Sequence, residues 1–152
     1  MAEAIVIRAT TVAEMQALAG RLMADHWAEA TDGKQGLDID WVRYQVLEDA
    51  GLLVVLSAWD LEEIVGYVVT VAVNRIHAKS AGALTIEAIY VVGEYRKSGL
   101  AMRLLHETEA EARERWGEAQ VVISAPVGGQ LDRLMRGLKN YHHRETVYMR
   151  EV

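Results

Sequence analysis

Residues 84 to 117, LTIEAIYVVGEYRKSGLAMRLLHETEAEARERWG, run from an apolar strand through a tight basic turn into an amphipathic helix. The turn, Arg96-Lys97-Ser98-Gly99-Leu100-Ala101, ends where the first helical N–H groups lack intrahelical acceptors and the helix dipole adds partial positive charge. A small residue at Gly99 lets the oxygens of an anion approach that backbone, and Arg96 and Lys97 add formal charge at the same mouth. The turn reads either as a pyrophosphate cradle or as an ordinary basic connection. Neither Gly-x-Gly-x-x-Gly nor a Walker Gly-Lys-Ser/Thr occurs, which argues against dinucleotide-binding and P-loop readings.

Elements follow outward from this stretch. Leu100, Leu104, Leu105, Thr108 and Ala112 recur at three and four along the helix Gly99 to Trp116, with Glu109/Arg113 and Glu111/Arg115 paired on the wet side, so the helix is expected to pack on a sheet. Upstream, Leu52 to Trp59 and Ile64 to Arg75 are Val-rich runs joined by Asp60-Leu61-Glu62-Glu63, the pattern of an antiparallel hairpin. Lys79-Ser80-Ala81-Gly82 reads as a loop before the strand Ala83 to Val92. Ala4 to Arg8 reads as a first strand, and Thr11-Val12-Ala13-Glu14 has capping-box spacing for a helix reaching Trp27. Thr31 to Gly36 breaks that helix, and Asp38 to Glu48 forms a second. Downstream come a strand over Gln120 to Ala125, a helix over Gly129 to Leu138, and a last strand over Thr146 to Glu151 with alternating Val147 and Met149. The expectation is an α/β fold, one domain over residues 1–152, with a mixed, mostly antiparallel sheet flanked by helices.

Composition narrows the classes. With 152 residues, 51% of them apolar and 25% charged, the chain can bury a core without disulfide or metal staples. The absence of cysteine excludes a thiol nucleophile and Cys-based zinc sites. A net charge of −6 speaks against non-specific nucleic-acid binding, and no run is apolar enough to span a bilayer or act as a signal peptide, so a soluble cytoplasmic protein is expected. His142-His143 is not read as a metal site, since adjacent side chains diverge and no third ligand is spaced to join them. His26, His77 and His106 are scattered and read as surface or half-buried residues.

Arg96-x-x-Gly99-x-Ala101, after a strand and before a helix, resembles the acyl-CoA signature of GNAT-type N-acetyltransferases, and the element order resembles that family's along nearly the whole chain. The tail Arg144 to Arg150 resembles that of phage-encoded members. The resemblance implies acetyl-CoA as cosubstrate and no metal, with an amine acceptor as the other partner. It places the pantetheine arm on the main chain of Ile89, Tyr90 and Val91, and the pyrophosphate on the N–H groups from Lys97 through Ser98, Gly99, Leu100 and Ala101 to Met102. In the family the two parallel strands splay here. Pro126, which lacks an N–H, and Gly128-Gly129 are expected to stop the neighbouring strand from pairing past Ser124, although a simple loop explains them equally.

Glu87 sits mid-strand among apolar neighbours, where a carboxylate needs a partner, water or substrate, or else faces solvent at an edge. In the family a glutamate here faces the substrate amine, so Glu87 is the candidate general base or ammonium anchor. The tyrosine acid of many relatives is replaced by Arg136, and an asparagine by Gly129. Tyr141 is the nearest hydroxyl and the candidate acid, although its place in the pattern is also that of a core aromatic. Asp25, Glu29, Asp32, Asp38 and Asp40 against Lys34 suggest a cationic acceptor, a small molecule or a protein, or a solvated acidic loop. The competing expectation is a catalytically silent acyl-CoA-binding or partner-binding module on the same fold. A homodimer is open on general grounds.

Overall fold

The computed structural model describes residues 4–152. Five strands form one sheet in the order β1-β2-β3-β4-β5: β1 (Val6–Ala9), β2 (Leu53–Asp60), β3 (Glu63–Arg75), β4 (Ala78–Val91) and β5 (Ala119–Ile123). Each of the first four runs antiparallel to its neighbour among them, and β5 lies parallel to β4, so the sheet is mixed and mostly antiparallel. Helices α1 (Val12–Leu18), α2 (Gly20–Thr31), α3 (Trp41–Asp49), α4 (Leu100–Trp116) and α5 (Gln130–Gly137) complete the α/β fold. None of the described helices is long and apolar enough to cross a membrane.

Helix α4 lies against one face of the sheet with Leu100, Leu104, Leu105, Thr108 and Ala112 all buried, the stripe expected from its spacing. Val54, Leu56, Val68, Leu84 and Ile86 meet it from the strands. On the opposite face Met15, Ala19, Leu22 and Met23 of the N-terminal helices pack on Val55, Trp59, Tyr67, Val69 and Tyr90. The capping box forms: Glu14 N–H donates to Thr11 Oγ1 at 3.1 Å, and Thr11 N–H donates to the Glu14 carboxylate at 2.9 Å. Asp40 caps α3 by accepting from Arg43 N–H at 2.9 Å.

Three expectations are corrected. The single helix expected from Thr11 to Trp27 is two, because Ala19 leaves helical geometry (φ −105°, ψ 3°) before Gly20, a residue with little helix preference, and α2 then runs on to Thr31. The loop expected at Lys79 to Gly82 lies inside β4, and the chain reverses instead beside Ile76-His77. The reason is tertiary: Gly82 sits under the indole of Trp116, where a Cβ would stand 2.0 Å from a ring carbon. Gly82→Val is therefore expected to destabilise the fold by about 1–3 kcal/mol, read as a lower urea midpoint at unchanged slope. The last strand expected over Thr146 to Glu151 is not formed. Val147, Tyr148 and Met149 are 72%, 91% and 92% exposed, so no burial offsets the entropy of ordering an extended segment there.

Candidate functional site

The site begins where β4 outruns β5. The two strands pair from Gly82↔Ala119 to Ile86↔Ile123 and then part, while β4 continues to Val91 with β3 alone beside it. Pairing stops one residue before Ser124, and the chain turns off through Ser124-Ala125-Pro126. The gap is a cleft of about 170 Å³ lined by apolar side chains and three polar ones, Glu87 of β4, Ser124 after β5 and His26 of α2. A larger, shallow concavity of about 520 Å³ at the β3–β4 turn, residues 73–78, lies apart from this gap.

Glu87 stands at a bulge. Val69 pairs with Ala88 and Thr70 with Ile86, which leaves Glu87 as the extra residue on β4. Its effect is a change of face. Leu84 and Ile86 point into the α4 core before the bulge, Ile89 and Val91 do so after it, and Ala88 and Tyr90 turn to the face of the N-terminal helices. Glu87 itself is exposed at the cleft, and its charge acts together with burial to raise the Tyr44 phenol above its ordinary value, burial being the larger cause.

Beyond Val91 a 3₁₀ segment, Gly93–Ser98, leads to Gly99 in the left-handed region (φ 79°, ψ 9°), and α4 starts at Leu100 with no side-chain cap. The left-handed geometry suits glycine, and no side chain caps the opening N–H groups of α4. Lys97, Ser98 and Gly99 are exposed, Ala101 and Met102 half-buried, and the Leu100 side chain is fully buried, which leaves only its backbone for a ligand. Ser98 donates its hydroxyl to Tyr95 O at 2.6 Å.

Arg96 is not idle in that turn. Its Nε donates to Val91 O at 2.8 Å, and Nη2 donates to both carboxylate oxygens of Glu29 on α2, at 2.9 and 2.7 Å. Tyr90 donates to the same carboxylate at 2.8 Å, with the guanidinium carbon 5.2 Å from its ring. Burial works to raise the Glu29 carboxyl, yet the hydrogen bonds from Arg96 and Tyr90 hold it below the usual range. The ion pair is largely solvent-exposed, so its contribution to stability is at most about 1 kcal/mol, and it can yield to a competing anion.

His26 stacks on Tyr90, centroids 4.8 Å apart at 18°, and its Nδ1 lies 2.7 Å from the hydroxyl of Tyr67. Burial holds its imidazole below the ordinary value, Glu29 pulling the other way and Arg96 pushing further down. Between the folded and unfolded values the unfolded chain binds more protons, so this histidine's contribution is complete above about pH 6.5 and is lost as pH falls through the depressed value. The urea midpoint is expected to fall on acidification across that window, less steeply in His26→Gln.

Tyr141 takes up a different post. Its hydroxyl donates to Glu109 of α4 at 3.0 Å, in place of the Glu109/Arg113 pair expected there, and it is not among the residues lining the cleft. Burial and that carboxylate both raise the phenol, burial more. Arg136 is held by Asp132 at 2.9 Å. Of the acidic residues read as an acceptor wall, Glu29 is engaged by Arg96 and Asp40 by the α3 N-terminus, while Asp25 and Asp38 are exposed.

Glu87 and Ile89 thus line the cleft, β4 runs on to Val91 and the turn from Arg96 to Met102, and His26, Tyr67 and Glu29 join them from other elements. Of these, His26 and Tyr67 were not singled out from the sequence as site residues, and Glu29 was read only as part of the acidic acceptor wall. His26 and Glu29 are three apart on α2, the spacing that shares a face, but nothing local shows that this face meets Tyr90.

Solved structures share the fold across almost the whole chain. An aminoglycoside acetyltransferase from an uncultured soil metagenomic sample, in complex with sisomicin, superposes with a TM-score of 0.76 at 14% identity, covering 97% of this chain and 96% of that one. A ribosomal-protein-alanine N-acetyltransferase from Brucella melitensis biovar Abortus 2308 gives 0.68 at 18% identity, covering 98% and 100%. A GNAT family acetyltransferase from Staphylococcus aureus subsp. aureus USA300_TCH1516 gives 0.69 at 14%, covering 97% and 98%. No curated protein sequence matches the chain significantly. The model of the acetyltransferase (GNAT) family matches residues 15–129, a span that holds β2 to β5 and α4 entire, and the chain belongs to that family.

Proposed function

We propose that the protein transfers an acetyl group from acetyl-CoA to a primary amine of a small cationic molecule or a protein. The observation that carries this is the parting of β4 from β5 beyond Ile86 and Ile123, followed along the chain by a left-handed glycine and an uncapped helix start. In this reading the pantetheine arm follows the main chain of Ile89, Tyr90 and Val91, and the pyrophosphate rests on the N–H groups from Lys97 to Met102. Ser98, Gly99, Leu100 and Ala101 contribute backbone there, and the cation of Lys97 lies beside it. Arg96 joins the phosphates by exchanging its exposed pair with Glu29 for them.

The chemistry asks for three things: an unprotonated amine, a polarised carbonyl and a tolerated thiolate. Glu87 receives the ammonium group and takes its proton directly or through water, or holds it in place. The Val91 N–H is proposed to polarise the thioester carbonyl. Alignment of the two substrates in the cleft supplies much of the remaining rate. Tyr141 enters as acid only if it leaves Glu109.

The acceptor is proposed to be cationic because, among the described residues, Glu87, Asp25 and Asp38 take part in no ion pair or helix cap. An aminoglycoside and a ribosomal-protein alanine, the acceptors named for two similar folds, belong in the panel beside polyamines. Thiol release from acetyl-CoA, measured across that panel, tests the proposal: at least one amine is expected to drive saturable release. Release from none, with acetyl-CoA still bound, favours the second reading, a silent acyl-CoA-binding module. The commitment of Tyr141 to Glu109 and of Arg136 to Asp132 speaks for that alternative.

A further inference from the structure

We propose that His26 presents a neutral imidazole N–H to the negative charge that develops on the acyl thioester, and above all to its departing sulfur. The inference rests on the acetyl-transfer reading above and assigns a residue to the step that this reading leaves unattended.

Three observations place it. His26 lines the same cleft as Glu87 and Ser124, although it comes from α2, on the sheet face opposite α4. Its ring plane is fixed by stacking on Tyr90, which is itself tied to Glu29, with Arg96 alongside. And its tautomer follows from Tyr67. That phenol is 1% exposed, burial keeps its proton on, and His26 Nδ1 is the one partner recorded for its hydroxyl among the described residues. A phenol hydrogen buried without an acceptor is costly, so Tyr67 donates to Nδ1. Nδ1 is then bare, and the ring hydrogen sits on Nε2.

The surroundings keep the ring uncharged. Around it stand Glu29 on its own helix, Tyr67 of β3, Tyr90 and Glu87 of β4 and Arg96 of the turn; Glu29 and Arg96 act on it in opposite directions, and burial disfavours the imidazolium. A neutral imidazole is a poor base in this tautomer but a good fixed donor, a role known where enzymes hold a histidine uncharged. Glu87 and His26 thus divide the work by charge: the carboxylate faces the ammonium, and the N–H faces the anion.

The step balances without an added reactant. The amine, after losing one proton to Glu87 or water, forms the C–N bond and puts a negative charge on the carbonyl oxygen. Collapse breaks the C–S bond, and its electron pair leaves on sulfur as a thiolate that accepts the Nε2–H hydrogen bond. The nitrogen sheds its second proton to solvent, the thiolate later takes one from solvent, and His26 keeps its own throughout.

Two measurements test this. In nitrogen-15 NMR of the full chain at pH 7, His26 is expected to be neutral with hydrogen on Nε2. Coenzyme A should move that resonance, whereas its desulfo analogue should not. Hydrogen on Nδ1, or equal shifts with both ligands, overturns the inference; failure of coenzyme A to bind at all overturns the acetyl-transfer reading with it, so the two failures are told apart. In kinetics, His26→Ala is expected to lower kcat about 10²–10³-fold with the KM for acetyl-CoA nearly unchanged. His26→Gln, which retains a neutral N–H donor, should recover at least about tenfold of that loss. A glutamine variant as slow as alanine would mean a base or a structural role, and the donor assignment would fall.

Discussion

Gly99→Glu is expected to weaken coenzyme A binding by about a hundredfold or more, equivalent to about 2.7 kcal/mol or more. Gly99 has φ 79° and ψ 9°, and a Cβ built on it meets nothing within 4 Å. Steric overlap with the rest of the chain is therefore not the cause. Any L residue there carries the strain of the left-handed region, about 1–2 kcal/mol, which both Gly99→Ala and Gly99→Glu pay in folding stability. Only the glutamate adds an anion at the positive end of α4, where the pyrophosphate is proposed to lie. Gly99→Ala should lose stability and keep much of its affinity; Gly99→Glu should lose both. Equal affinities in the two variants, measured by calorimetry well below their melting temperatures, would separate the turn from the cofactor.

Glu87→Gln is expected to lower kcat about 10²–10⁴-fold while the affinity for coenzyme A stays near wild type. Stability should move by no more than about 0.5 kcal/mol, because the side chain is exposed and the bulge is a backbone feature. If the carboxylate only anchors the ammonium, the loss will appear in the KM for the amine instead, and the pH profile will keep its acidic limb. Unchanged kcat and KM would remove Glu87 from the reaction.

The most legible part of the chain was the part with local causes. The stripe Leu100, Leu104, Leu105, Thr108 and Ala112 follows from helical spacing alone, and the α1 capping box from two residues three apart. The bulge at Glu87 has a faint local mark: apolar alternation runs Leu84, Ile86 and then resumes out of step at Ile89, Val91. What escaped has distant causes. Lys79 to Gly82 has the composition of a loop, yet Trp116, more than thirty residues on, makes Gly82 a strand residue by covering it. The tail over Thr146 to Glu151 has strand alternation, but alternation does not supply a partner edge.

The site shows the same division. The cradle from Arg96 to Met102 is contiguous and could be read as a motif, and Glu87 could be read as an acid out of place among apolar residues. His26, Tyr67, Tyr90 and Glu29 come from α2, β3 and β4, and they meet only because the bulge turns Tyr90 toward α2. The sequence shows Arg96 as formal charge at the mouth of the turn, whereas the structure spends it on Val91 O and on Glu29, the latter 67 residues away. The acetyl-transfer account therefore implies a local exchange on cofactor binding, with Glu29 released as the phosphates arrive.

Calorimetric titration of the purified protein with acetyl-CoA and with free coenzyme A, with Gly99→Glu as the control, tests the central claim most directly. Saturable one-site binding of both ligands, lost in the control, is the result predicted by a pyrophosphate on the α4 N-terminus and a pantetheine arm in the β4/β5 cleft. No binding at millimolar ligand, or binding undiminished in Gly99→Glu, would contradict it.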